Sequence, residues 1–226
     1  YSPWHWYLVD VSSGDVNEIT FNGEVVSGVT FTNDGLTMAF YGYDPSIDDW
    51  DVYVSRPSPD PATVGAKSLG LASNRYTVPG KISGDGSKYV FVRSTNTSCC
   101  PANVWVHDIA SGMTTKVTPS PVDGGIGGAN VSDDGQRVIY GAVGYWWGVH
   151  SDGSDHHDLA VPPALAYGSL SRDGSYLISS QFSPTVECSR VPWDGGWPRA
   201  PTSPLFGGGS YLPLVPANAD ASIIAG

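Results

Sequence analysis

The chain has 226 residues, 28 of them Gly and 18 Pro, a density of backbone punctuation that excludes a helical bundle. Charged residues make up 15% against 12% aromatic and 40% hydrophobic, well under the roughly 25% charge of an average soluble domain, which excludes a disordered chain. Eleven Lys and Arg against 22 Asp and Glu leave a net charge of −11, which repels polyphosphate and excludes nucleic acid as a partner. No apolar run reaches the length of a membrane-spanning helix, so no membrane insertion is expected.

In chain order, the first segment, 1–21, aligns with the second half of a later unit, since Trp6 to Gly14 matches Val104 to Gly112. Residues 27–70 hold a short strand after a glycine (Gly28 to Phe31), the turn Thr32-Asn33-Asp34-Gly35, an alternating strand (Leu36 to Phe40) and a third strand entered through an aromatic (Trp50 to Val54). Residues 79–118 repeat this as Gly80 to Ile82, Ser83-Gly84-Asp85-Gly86, Lys88 to Val92 and Asn103 to Val106, with a second turn at Ser111-Gly112. Residues 127–160 do so with Ser132-Asp133-Asp134-Gly135, Arg137 to Tyr140 and Tyr145-Trp146-Trp147, and 167–202 with Ser171-Arg172-Asp173-Gly174 and Tyr176 to Ser179. The last segment, 210–226, carries a decayed copy at Asn218-Ala219-Asp220-Ala221 and then Ile223-Ile224.

Asp-Gly between two alternating runs is a hairpin signal, because Gly tolerates positive φ and Asp bonds its own backbone. The aspartates recur 39 to 51 residues apart, too irregular for a solenoid and natural for blades with variable loops. The expected fold is all-β, a five-bladed β-propeller of four-stranded antiparallel blades, with 1–21 as the outer strands and 210–226 as the inner strands of one shared blade. Such closure leaves no free sheet edge.

The grammar of Ser/Thr-x-Asp-Gly hairpin, Tyr/Ile-Val-Phe strand, Val-Tyr/Trp-Val strand and Ser-Gly turn resembles the TolB-type β-propeller repeat, a cousin of the WD repeat, over essentially the whole chain. The resemblance implies blades and no particular chemistry. Asn33, Gly84, Asp133 and Arg172 stand where that family usually has Pro, and five blades is fewer than its members commonly have.

Among function classes, no nucleophile elbow, zinc-protease motif, phosphate loop or dinucleotide fingerprint is present, so no catalytic residue and no cofactor is assigned. The pair His156-His157 reads as a solvated outer strand rather than a metal site. The acidic run Asp44 to Asp51 departs from the Ca²⁺ loop pattern and reads mainly as a solvated loop, with Ca²⁺ as the minor alternative. Cys99 and Cys100 are adjacent; a vicinal disulfide, pairing of one with Cys188, and free thiols all remain open.

Loops from second to third strands and loops between blades emerge on one face of a propeller, and there the sequence places Trp4, Trp6, Tyr43, Tyr76, Tyr145, Trp146, Trp147, Tyr167 and Tyr211. Flat aromatics with polar tips suit protein anchoring or sugar stacking. The expectation is a non-catalytic binding module for a protein or glycan ligand, exported to the periplasm or cell exterior. The alternatives are a small carbohydrate-active enzyme using acids such as Asp44, Asp49 and Glu187, and a purely structural repeat.

Overall fold

The computed structural model describes residues 5–72, 77–142, 145–159, 167–182, 186–194 and 199–202. Among these every regular element is a strand, and no helix is long and apolar enough to cross a membrane. Strands β1 (Tyr7–Val9) and β2 (Val16–Glu18) form an antiparallel pair, and β3 (Thr20–Phe21) and β4 (Glu24–Val25) a second one. Four antiparallel four-stranded sheets follow, each with its strands in chain order. The first is β5 (Ser27–Phe31), β6 (Met38–Asp44), β7 (Asp49–Ser55) and β8 (Lys67–Ser68). The second is β9 (Thr77–Ile82), β10 (Lys88–Ser94), β11 (Ala102–Asp108) and β12 (Thr114–Lys116). The third is β13 (Ile126–Val131), β14 (Arg137–Ala142), β15 (Tyr145–His150) and β16 (His157–Leu159). The fourth is β17 (Tyr167–Leu170), β18 (Tyr176–Phe182), β19 (Val186–Pro192) and β20 (Arg199–Thr202).

The repeated turn explains its own sequence. In the third sheet the Ser132 hydroxyl donates to Asp134 at 2.6 Å and accepts the amide of Arg137 at 3.0 Å, the Asp134 carboxylate accepts the amide of Gln136, and the Gly135 amide bonds back to the Ser132 carbonyl at 3.0 Å. Each of the three defining residues therefore satisfies a backbone or side-chain group of the turn, and Gly takes the left-handed φ of +69° at position 135 without steric cost. The same bonds recur around Thr32, Ser83 and Ser171.

The second strand of each sheet is buried on both sides, and the period of 2 divides its residues between two cores. In β6, Met38 and Phe40 enter one core with Phe21, Ile19 and Tyr53, while Ala39 enters another with Tyr89 and Phe91 of β10. Val90 and Val92 of β10 face the opposite way, onto Val138 and Tyr140 of β14, and Ile139 in turn faces Leu170, Leu177 and Val191 of the fourth sheet. The sheets thus stack in chain order, with their first strands β5, β9, β13 and β17 as neighbours. Leu8 of β1 packs onto the core on the outer side of the first sheet.

Two features depart from the sequence reading. The hairpin β3–β4 went unpredicted, although its two-residue turn is Asn22-Gly23 with φ of +53° and +83°, the strongest short hairpin signal there is. The expected inner strands at 210–226 lie outside the described residues.

Candidate functional site

The Ser/Thr-x-Asp-Gly turns sit at one end of the strands, so the hairpins from second to third strands project from the other end. At the first of these, β6–β7, Tyr43 pairs across the ladder with Trp50. The Trp50 ring lies 5.4 Å from the Tyr41 ring in a stacked arrangement and 6.0 Å from the Tyr43 ring edge-on, and all three are half-buried. Tyr43 donates its hydroxyl to Asp48 at 2.5 Å, and that bond is the foremost reason its pKa is raised. Burial, helped by Asp49 and Asp51, pushes Tyr41 up to about 12. Both phenols are therefore neutral donors at physiological pH. Trp50 was missed as a site residue by sequence reasoning; the available signal was its place on the strand facing the aromatic run of β6.

The acids of this hairpin are already engaged. Asp44 accepts from the Ser46 hydroxyl at 2.6 Å, the Ser46 amide and the Tyr53 hydroxyl at 2.8 Å, and these bonds hold its pKa below the usual carboxylate range. It has no proton to give as a general acid near neutral pH. Asp51 is buried and accepts the amides of Leu71 and Val52 as well as the Ser68 hydroxyl, which ties β7 to the β8 segment. Among the described residues no three His, Cys, Asp or Glu side chains converge in a way that could hold a metal ion. The Glu187 side chain lies outside the described set.

In the third sheet the aromatic triplet divides as strand alternation requires. Tyr145 is 53% exposed and Trp147 half-buried, while Trp146 is 7% exposed. Trp146 lies over Gly141, its cross-strand partner, and over Gly168 of the next sheet, where a Cβ would come within 3.1 and 2.7 Å of the indole. Trp146 is thus a core residue between sheets, a correction to its place among the ligand-binding candidates: the two glycines clear the volume that the indole fills. The exposed pair remains together, with Tyr145 and Trp147 rings 6.0 Å apart and Trp147 stacked on Tyr140 at 5.3 Å. Burial raises Tyr140 to about 12, and its hydroxyl shares a hydrogen bond of 2.6 Å with Nε2 of His156. Burial also lowers the His156 pKa, with repulsion from His157 adding to it, which favours the neutral ring. His157 lies on the outer strand β16 and contacts the Trp193 carbonyl at 2.6 Å. The two histidines thus serve packing.

Of the remaining candidates, Trp6 is partly exposed ahead of β1, and its carbonyl accepts the amide of Ile19. Trp4, Tyr76 and Tyr211 lie outside the described residues, as does the side chain of Tyr167. Cys99 and Cys100, in the β10–β11 loop, lie side by side with their sulfurs 3.0 Å apart. The Cys188 side chain is outside the described set.

No protein-family model matches the chain, and no curated protein does. Solved structures do. TolB from Acinetobacter baumannii superposes with a TM-score of 0.62 at 15% identity over 88% of this chain and 49% of that one. Oligogalacturonate lyase from Vibrio parahaemolyticus superposes with a TM-score of 0.65 at 12% identity over 96% and 62%, and a prolyl endopeptidase with 0.60 at 18% over 94% and 32%. The chain spans about half of the TolB structure and less than two thirds of the lyase. At such identities the likeness concerns the fold alone, and the chain folds as a β-propeller of the TolB-like kind.

Proposed function

We propose that the chain is a five-bladed propeller, closed by pairing of 210–226 with 1–21, and that it works outside the cytoplasm as a non-catalytic binding module whose aromatic hairpin face takes a protein or glycan ligand. The observation that carries this reading is the contact of Tyr43 with Trp50 and of Tyr145 with Trp147 on the same end of two sheets, each a pair of inclined rings that is at least partly exposed. Rigid aromatics of this kind give contact area at little conformational cost. Asp44, held ionised by its hydrogen bonds, does not suit the general-acid role that the enzyme alternative would need to fill at this face. The solved structures that share the fold include both TolB and enzymes, so the fold leaves the choice to the site.

The test uses the two neighbouring tryptophans. Trp146→Ala empties a sealed inter-sheet site and should cost about 3–5 kcal/mol of stability. Trp147→Ala, which removes half-buried packing on Tyr140 and the adjoining core, should cost clearly less stability than Trp146→Ala and weaken binding on a glycan array or to a captured protein ligand by about thirtyfold, the equivalent of a 2 kcal/mol anchor. If Trp147→Ala and Trp50→Ala both leave every bound ligand unaffected, the aromatic face is a structural surface and the purely structural repeat becomes the better reading.

A further inference from the structure

In the β6–β7 hairpin the rings of Tyr41, Trp50 and Tyr43 lie in sequence against one another, and acids flank them. Asp48 accepts the Tyr43 hydroxyl on Oδ1, and Asp49 accepts the Trp50 amide on Oδ1 at 2.8 Å. On each, Oδ2 has neither a donor nor a cation among the described residues. Asp44 differs, with one oxygen taken by Ser46 and the other by Tyr53. The β3–β4 hairpin adds a further acid at the same place: Asn22 donates its side-chain amide to the Tyr43 carbonyl at 3.3 Å, which brings Glu24 alongside. The Tyr43 pKa is raised first by the Asp48 bond, then by burial and by the charges of Asp48, Glu24 and Asp44. The Lys or Arg that acts on these rings among the described residues is Arg93 of β10, and its guanidinium is already engaged by the Leu71 carbonyl and the Phe91 ring, 5.0 Å away. Glu24, Asp44, Asp48, Asp49 and Asp51 thus face one cation, and Arg75, outside the described residues, could cancel no more than one further charge. Lys88 and Arg137, the first residues of β10 and β14, and Arg172, within a turn, lie at the opposite end of the strands.

Resting on the aromatic-face reading, we propose that the ligand of this face is a protein segment bearing an exposed arginine, which sets its guanidinium against the Trp50 and Tyr43 rings and directs its N–H groups to the carboxylates of Asp48 and Asp49. A cation near the face of a Trp or Tyr ring is attracted by the ring quadrupole. The Tyr43 phenol, donating to a carboxylate, has the more electron-rich ring for it. Arginine suits the place better than lysine, because its guanidinium is planar, weakly hydrated, able to stack and able to reach carboxylate oxygens in the same pose. An acidic ligand would meet the uncompensated carboxylates and the net charge of −11, both of which repel it. A neutral sugar can stack on the rings but leaves the open oxygens of Asp48 and Asp49 without a counter-charge. The same excess of negative charge steers a basic partner toward this end of the molecule, so binding should weaken as salt rises.

The experiment follows the Trp50 indole N–H and the backbone amides of Asp48 and Asp49 by NMR in the full chain. The probes are the capped peptide acetyl-Gly-Arg-Gly-Arg-Gly-amide, its counterparts with Gln or Glu in place of Arg, and maltotetraose as a neutral sugar. Saturable shifts are expected with the arginine peptide, which should bind about tenfold or more tighter than the glutamine peptide, and none with the glutamate peptide. The double variant Asp48→Asn with Asp49→Asn should weaken the arginine peptide by about tenfold. It is expected to fold, because Asn tolerates the φ of +53° at position 48 and keeps the oxygen that accepts the Trp50 amide at position 49. Absence of saturable shifts with the arginine peptide, equal binding of the glutamine peptide, or unchanged binding in the double variant overturns the proposal. If maltotetraose or the glutamine peptide shifts the Trp50 indole as tightly as the arginine peptide does, the aromatic face stands and its cationic ligand falls. If Trp50→Ala leaves the arginine peptide bound as before, the rings take no part and this proposal falls, whatever ligand Trp147 holds.

Discussion

The glycines of the repeated turns share one conformation and differ in surroundings. Gly35 and Gly174 have φ of +68° and +70°, but a Cβ at Gly35 would meet nothing within 4 Å, whereas one at Gly174 would come within 2.8 Å of the Arg137 side chain and 3.0 Å of Ser132 Cβ. Gly35→Ala should therefore cost only the left-handed penalty of about 1–2 kcal/mol. Gly174→Ala adds a clash against the neighbouring sheet and should cost more; urea unfolding of the two variants checks the order. Histidines give a second prediction at this scale. His107, lowered by burial and bonded to Thr114 Oγ1 at 2.9 Å, and His156, lowered by burial and by His157, are held neutral in the fold. The unfolded chain takes up those protons near pH 6.5, so stability is undiminished above that value and declines as pH falls below it toward the lowered folded pKa values. The carboxylates with lowered pKa, among them Asp34, Asp44 and Asp173, act at lower pH still: their contribution is present above about 3.9 and is lost below it. Melting between pH 7 and 5 should show the first decline, and the double variant His107→Gln with His156→Gln should flatten it.

At the scale of the element, the sequence made the four central hairpins legible because each copy states its turn chemically: hydroxyl, carboxylate and glycine all have a bond or a φ to satisfy. The strands after the turns were legible as strands, but the face each residue takes was not. Both sides of β10 and β14 are buried, so alternation carries no polar and apolar contrast to read. That is why Trp146 could be placed among solvent-facing candidates. Its fate depends on Gly141 in its own sheet and Gly168 in the next, and the latter is a contact between blades that local pattern does not encode. Trp50 was hidden for the converse reason: reading it as the entry to a strand obscured its pairing with Tyr43.

For the molecule as a whole, the turn after β1 bears on closure. The Asp10 amide bonds to the Asp15 carbonyl at 2.9 Å and the Gly14 amide to the Asp10 carbonyl at 2.7 Å, matching the Asp108 amide to Met113 at 2.8 Å and the Gly112 amide to Asp108 at 2.9 Å. Strands β1 and β2 thus repeat β11 and β12, the third and fourth strands of a blade, as the alignment of Trp6 to Gly14 with Val104 to Gly112 anticipated. In the proposed closure, 210–226 would supply the two strands that complete this blade. Removing residues 1–14 takes away β1 together with Leu8, which packs onto the first sheet's outer core. The truncated protein should lose several kcal/mol and aggregate through the strand edges it exposes. Light scattering and thermal melting measure this, and an unchanged melting temperature would remove the case for closure through this segment.

The double-sided burial of the second strands also sets where the chain can change length. From each turn hydroxyl to the amide it accepts is five residues, at Thr32 and Thr37, Ser83 and Lys88, Ser132 and Arg137, and Ser171 and Tyr176. The strand that begins there supplies alternate residues to two cores. One residue inserted within β10 would exchange Tyr89 and Phe91 with Val90 and Val92 and so mis-fill the cores on both sides at once, whereas one inserted in the β10–β11 loop would disturb neither. The molecule is a ruler with fixed marks and elastic gaps, and its history of insertion and deletion can be read as confined to the gaps, which is how copies 39 to 51 residues apart can share one geometry.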